Sequence, residues 1–119
     1  MIKVVVIDDD LDLLEMVCMM LNNPKMSPVC IDDGDNLVPT LSTVQPDVLV
    51  MDIFLGHHDG RALCKKLKSN NEFSRLPILL YSAGEISPES ILDSNADDFI
   101  KKPFEMPELM RRIEELANN

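Results

Sequence analysis

Ile2-Lys3-Val4-Val5-Val6-Ile7-Asp8-Asp9 is an apolar, mostly β-branched run that ends in two carboxylates. A continuous run of this kind suits a strand buried on both faces, as in a parallel sheet. Related runs recur along the chain. Val48-Leu49-Val50-Met51 ends in Asp52, and Ile78-Leu79-Leu80-Tyr81 ends in Ser82. Asp98-Phe99-Ile100 leads into Lys101-Lys102-Pro103. Aligned in parallel, these runs bring three carboxylates, a hydroxyl and an ammonium to one sheet edge. Carboxylates a few Å apart repel by roughly 4 kcal/mol per pair at an effective dielectric near 20. A cation or a proton has to resolve that repulsion.

Helical spacing fills the gaps between the runs. Leu11, Leu14, Val17, Cys18 and Leu21 predict a first helix that stops at Asn22-Asn23-Pro24. A short strand over residues 29–31 ends at Asp32-Asp33-Gly34. Asp35 or Asn36 can cap a second, short helix with Pro39 in its first turn. Asp59-Gly60 precedes a helix that places Leu63, Cys64 and Leu67 on one face. Ser87-Pro88 predicts an N-cap followed by proline at the first helical position, and Ser94-Asn95 the close of that helix near Asp93. Leu109, Met110, Ile113, Leu116 and Ala117 form the last amphipathic helix. The strands are expected over residues 2–7, 29–31, 48–51, 77–81 and 97–100. Strict strand–helix alternation predicts an α/β fold: a doubly wound, five-stranded parallel sheet covered on both faces. In the order 2-1-3-4-5 the switch point falls between the first and third strands, where ligands bind beyond the carboxyl ends. Asp8-Asp9 and Asp52 end those two strands.

The 119 residues suit one domain, here residues 1–119. Hydrophobic residues at 45% and charged residues at 27% are globular values. A formal net charge of -10 disfavours direct nucleic-acid binding, which needs clustered Lys and Arg. No apolar stretch approaches the roughly 20 residues that span a bilayer, so no membrane insertion is expected. Three dispersed cysteines, Cys18, Cys30 and Cys64, are expected as reduced, buried thiols of a cytoplasmic protein.

Asp8, Asp9 and Asp52 supply the oxygen donors that Mg²⁺ prefers. Lys102 adds a point charge able to hold a phosphoryl oxygen, and Ser82 a hydroxyl donor. Asp10 and Asp12 fit a plainer role, because negative charge is favourable in the first turn of a helix. Lys101 reads as a solvated lysine, and His57 and His58 as exposed loop residues. Met16, Met19, Met20, Met106 and Met110 read as helix-face residues or adaptable contact surface.

These motifs resemble the receiver domain of bacterial two-component response regulators, of the chemotaxis-regulator kind, over the whole chain. The matching segments are Val5-Val6-Ile7-Asp8-Asp9-Asp10, Asp47 through Gly60 around Asp52, Leu80-Tyr81-Ser82-Ala83, and Ala96 through Phe104. The resemblance implies a flavodoxin-like (βα)5 fold and a phosphorelay switch rather than an enzyme. It implies that Asp52 takes a phosphoryl group from a phosphohistidine on a sensor histidine kinase or a histidine phosphotransfer protein. Asp9, Asp52 and the Phe54 backbone carbonyl would ligate Mg²⁺, with Asp8 acting through water. Ser82 and Phe99 would be the switch pair, Lys102 would meet the phosphoryl oxygens, and the Lys102-Pro103 bond would be cis. A downstream protein of unknown identity would read the state.

Two alternatives accompany this reading: a phosphatase-like hydrolase forming an aspartyl-phosphate, and a degenerate receiver that binds partners without phosphorylation. The first usually needs an acid two residues beyond the nucleophile, where this chain has Phe54. The second conflicts with a complete set of site residues. Three departures from the family pattern stand out. Gly56 replaces a frequent Pro, Asn95 replaces a usual Gly, and the stretch from Ser82 to Phe99 is about two residues short, which shortens the fourth helix.

Overall fold

The computed structural model describes residues Met1–Asn119. Five parallel strands, β1 (Ile2–Ile7), β2 (Met26–Ile31), β3 (Val48–Asp52), β4 (Ile78–Ser82) and β5 (Asp98–Lys101), form one sheet in the order β2-β1-β3-β4-β5. Five helices connect or close them: α1 (Leu11–Leu21), α2 (Leu37–Val44), α3 (Gly60–Lys68), α4 (Pro88–Ser94) and α5 (Met106–Ala117). The expected doubly wound order is the observed one.

The pleat divides the apolar runs between two cores. Val5, Ile7, Leu49, Met51, Ile78 and Leu80 face the core shared with α2 and α3. Val4, Val6, Val48, Val50, Leu79 and Tyr81 face the core shared with α1 and α5. Both sets are fully buried, which is why the runs read as continuous rather than alternating. The parallel register pairs Ile7 with Met51 and Asp52 with Tyr81, so the carboxyl ends of β1, β3 and β4 lie side by side.

Helix ends follow the sequence signals closely. Asp10 is the N-cap of α1, its carboxylate accepting from the Leu13 amide, rather than a first-turn residue. Ser87 caps α4 through the Ser90 amide, and Asp59 caps α3 through the Arg61 amide. Asn95 closes α4 in the left-handed region at φ 62°, a conformation that Asn tolerates. The second helix begins after a 3₁₀ turn, Gly34–Asn36, which Asp33 caps; neither Asp35 nor Asn36 supplies a side-chain cap to α2 itself.

Three further expectations need correction. β2 is twice the expected length, because Pro28 is accommodated at the sheet edge, where a missing amide costs no interior ladder bond. α4 continues one residue past Asp93, to Ser94. Of the two apolar residues of that helix, Ile91 packs on the core and Leu92 is 77% exposed. Finally, Cys18 and Cys30 are neither fully buried nor reduced. They are half-buried and joined as a disulfide between α1 and β2, leaving Cys64 as the buried free thiol.

Candidate phosphoacceptor site

β1 and β3 end at the centre of the sheet and deliver Asp8, Asp9 and Asp52 to one point. Their carboxylate oxygens lie within 4.8 Å of one another, a donor set able to hold a metal ion. Asp8 is fully buried and Asp52 nearly so, whereas Asp9 is exposed. The Lys102 ammonium, arriving from the end of β5, donates to Asp8 Oδ2 at 3.2 Å and to Asp52 Oδ2 at 2.9 Å. Three carboxylates against one ammonium leave an excess of two negative charges, which a single divalent cation matches.

Burial pushes the Asp52 carboxyl up from its ordinary range. The Lys102 hydrogen bond and the Phe54 amide pull it back only in part, and the Asp8 charge adds to the rise. For Lys102, burial alone would lower the ammonium, but the Asp52 hydrogen bond and the charges of Asp52 and Asp8 outweigh it and the net shift is upward. Each partner is thus held in place by the other, in a setting that disfavours isolated charge.

The loop after β3 is shaped around Asp52. Its Oδ1 accepts from the Phe54 amide at 3.1 Å, while the Phe54 ring turns outward and is 53% exposed. Gly56 adopts φ 63° and donates its amide to Asp9 Oδ2 at 2.9 Å. Proline could supply neither that φ nor an N–H, so the departure at Gly56 has a local reason. A two-residue antiparallel ladder, Phe54–Leu55 against His58–Asp59, closes the loop. It brings Gly60 so near the chain that a Cβ there would collide with the Asp52 carbonyl.

Ser82 ends β4 fully buried, its Oγ accepting from the Gly84 amide at 3.2 Å. Phe99 on β5 is half-buried and packs against the core that contains Leu80, its register neighbour. Lys101 points outward towards Glu85 at 3.5 Å, and the Lys102-Pro103 peptide is cis. The structure therefore gathers Asp8, Asp9, Asp52 and Lys102 at the carboxyl edge of the sheet, with Ser82 at the end of the adjoining strand. Phe99 lies on the neighbouring strand, two residues before Lys101, the register partner of Ser82.

Sequence reasoning missed Tyr81. Its hydroxyl donates to Asp8 Oδ2 at 2.6 Å, and its ring lies 4.4 Å from the Lys102 ammonium. Burial raises the phenol well above its usual range, with Asp8 adding to the effect, so it stays a donor. The one available signal was the burial of its neighbours: a phenol inside an apolar strand needs a partner. The histidines divide. His57 is exposed as expected, but His58 is half-buried and pairs with Asp35 at 2.9 Å.

Comparison with known proteins agrees with this geometry. The model of the response regulator receiver domain matches residues 4–114. The chain belongs to the response regulator receiver domain family. It is 32% identical over 117 residues to the response regulator MprA of Mycobacterium bovis, covering 97% of this chain and 50% of that protein. It is 30% identical over 113 residues to the DNA-binding response regulator MtrA of Mycobacterium tuberculosis, covering 93% and 48%. This receiver domain thus spans about half the length of the curated relatives it matches. Among solved structures, the Francisella response regulator 1452 receiver domain superposes with a TM-score of 0.88 at 27% identity, covering 99% of this chain and 98% of that one. No helix is long and apolar enough to cross a membrane.

Proposed function

We propose that residues 1–119 act as one cytoplasmic receiver domain whose Asp52 accepts a phosphoryl group from a phosphohistidine. The donor would be a sensor histidine kinase or a histidine phosphotransfer protein. The observation that carries this reading is the Lys102 ammonium bridging Asp8 and Asp52 opposite Asp9. It leaves the three carboxylates together two positive charges short, which one divalent cation supplies. Asp9, Asp52 and the Phe54 carbonyl would hold Mg²⁺, with Asp8 acting through water. When bound, Mg²⁺ would supply charge neutralisation for the phosphoryl oxygens.

The chain's own part is positioning and charge, since a loose phosphoryl transition state leaves little covalent work to the protein. Asp52 Oδ2 attacks the phosphorus as the bond to the donor imidazole breaks. Lys102 moves from a carboxylate oxygen to a phosphoryl oxygen, and the Ser82 hydroxyl donates to another. Ser82 and Phe99 then carry the change to a surface that a downstream protein reads. The domain would assist its own phosphorylation and dephosphorylation but turn over no external substrate. Phe54, outward-facing and without an acid, leaves a phosphatase-like hydrolase without its second carboxyl.

Incubation with acetyl phosphate and Mg²⁺ should add one phosphoryl mass to the wild type and none to Asp52→Asn. Equal labelling of the variant would overturn the assignment. Mg²⁺ alone should raise the thermal midpoint of the wild type, and Asp9→Ala should lose most of that rise.

A further inference from the structure

We propose that Cys18 and Cys30 form a reversible thiol oxidation site, closed by low-molecular-weight disulfides of the glutathione type, that clamps α1 to the edge of the sheet. The two residues come from different elements, α1 and β2, and their Cα atoms lie 6.2 Å apart. That spacing lies within the range a disulfide spans without backbone movement. The structure holds the bond formed.

Three further observations make the pair an exchanging site rather than a sealed one. Both cysteines are half-buried and line an open surface groove with Leu11, Met19, Ser27 and Pro28, so a small reagent reaches the sulfurs. β2 is an edge strand paired only with β1, so opening the bond leaves the interior ladder of β1, β3, β4 and β5 intact. The third thiol is set apart: Cys64 is buried, and burial pushes it up to about 11, which leaves it without reactive thiolate at neutral pH. Selectivity for Cys18 and Cys30 over Cys64 is therefore built into the fold.

The step is ordinary exchange. One protein thiolate attacks the small disulfide, forming a mixed disulfide and releasing one small thiolate, which takes up a proton. The second protein thiolate attacks the protein sulfur of that mixed disulfide and releases the second small thiol. Two protein thiols are oxidised to one disulfide, and one small disulfide is reduced to two thiols. In a reducing compartment the pair would stand open, and oxidative conditions would close it. The inference is independent of phosphorylation at Asp52.

The test equilibrates the full chain in buffers of varied reduced-to-oxidised glutathione ratio, quenches with acid, alkylates the unfolded chain in denaturant so that Cys64 is also reached, and counts labelled cysteines by mass. Labelling should fall from three cysteines to one as the ratio falls, with the remaining label on Cys64, and should return to three when the ratio is reversed. Amide exchange should slow across residues 17–22 in the oxidised form and stay unchanged across α5. Cys18→Ser and Cys30→Ser should each stop at a single mixed disulfide. The wild-type count alone decides the matter, even if a variant fails to fold. Three labels at every ratio would show that the pair does not close. One label surviving the most reducing buffer would make the bond a permanent staple. Either result overturns the proposal.

Discussion

Lys102 stands between two carboxylates that have almost no access to water. Removing it leaves Asp8 and Asp52 facing each other with only Tyr81 and backbone amides for support. Breaking a buried ion pair by deleting one partner typically costs about 3–5 kcal/mol, because the remaining charge is uncompensated. Lys102→Ala should therefore destabilise the metal-free domain by about 3 kcal/mol in urea unfolding, and Mg²⁺ should restore part of the loss. A midpoint equal to that of the wild type would show that the carboxylates are neutralised in another way. At this scale the sequence was informative wherever a residue closed a strand. Asp8, Asp9, Asp52, Ser82 and Lys102 could all be read from strand ends alone. Tyr81 and the Gly56 amide could not, because their roles depend on which side of a pleat or turn a polar atom emerges.

Among the elements, α4 and α5 differ most in what holds them. α4 has seven residues, and Leu92 points to solvent, so Ile91 is its main apolar anchor. α5 has twelve residues and buries Leu109 and Ile113 fully. A helix of under two turns is not stable without packing. Amide exchange should be faster across residues 89–93 than across residues 109–116, and equal protection would contradict this. α5 also carries an acid-sensitive ion-pair network. Arg111 first, and Arg112 with it, hold Glu108 down at about 2 from the usual 4.5. A depressed carboxyl contributes stability that is present above its unfolded value and is lost as pH falls through the folded one. The contribution should thus fade between pH 4.5 and about 2. Because the group is exposed, salt should weaken it. Glu108→Gln should show a smaller fall in thermal midpoint between pH 5 and pH 3 than the wild type, and an identical fall would dismiss the network. The helix ends were legible because Asp59, Ser87-Pro88 and Asn95 act locally. The length of β2 was not, since Pro28 argues against a strand until the edge position is known.

For the whole molecule, the sheet order followed from alternation and handedness, while the link between site and surface rests on contacts no sequence pattern displays. The Lys102 amide donates to the Ser82 carbonyl at 2.9 Å, so the backbones of the lysine and the hydroxyl residue move together. Arg112 of α5 reaches back to the Phe99 carbonyl at 2.7 Å and to Asp98 at 3.1 Å, tying the last helix to the strand that carries the aromatic ring. A phosphoryl group on Asp52, as proposed, would present new acceptor oxygens to Ser82 and Lys102. Ser82 is already buried and its hydroxyl is held only by the Gly84 amide, so it can turn towards them. Under the proposed switch that turn would free space beside Phe99, which is half-buried and would gain burial by filling it. The change should therefore need both hydroxyl and ammonium. Lys102→Ala should still accept phosphate to some degree but fail to reorganise the Phe99 face. Solution NMR of wild type and variant with beryllofluoride and Mg²⁺ reads this directly. Large shifts around Phe99, Ile86 and Ile91 are expected in the wild type, and shifts confined to the loop after β3 in Lys102→Ala. Matching shifts at Phe99 in both proteins would separate the aromatic switch from the lysine and leave Ser82 as its sole trigger.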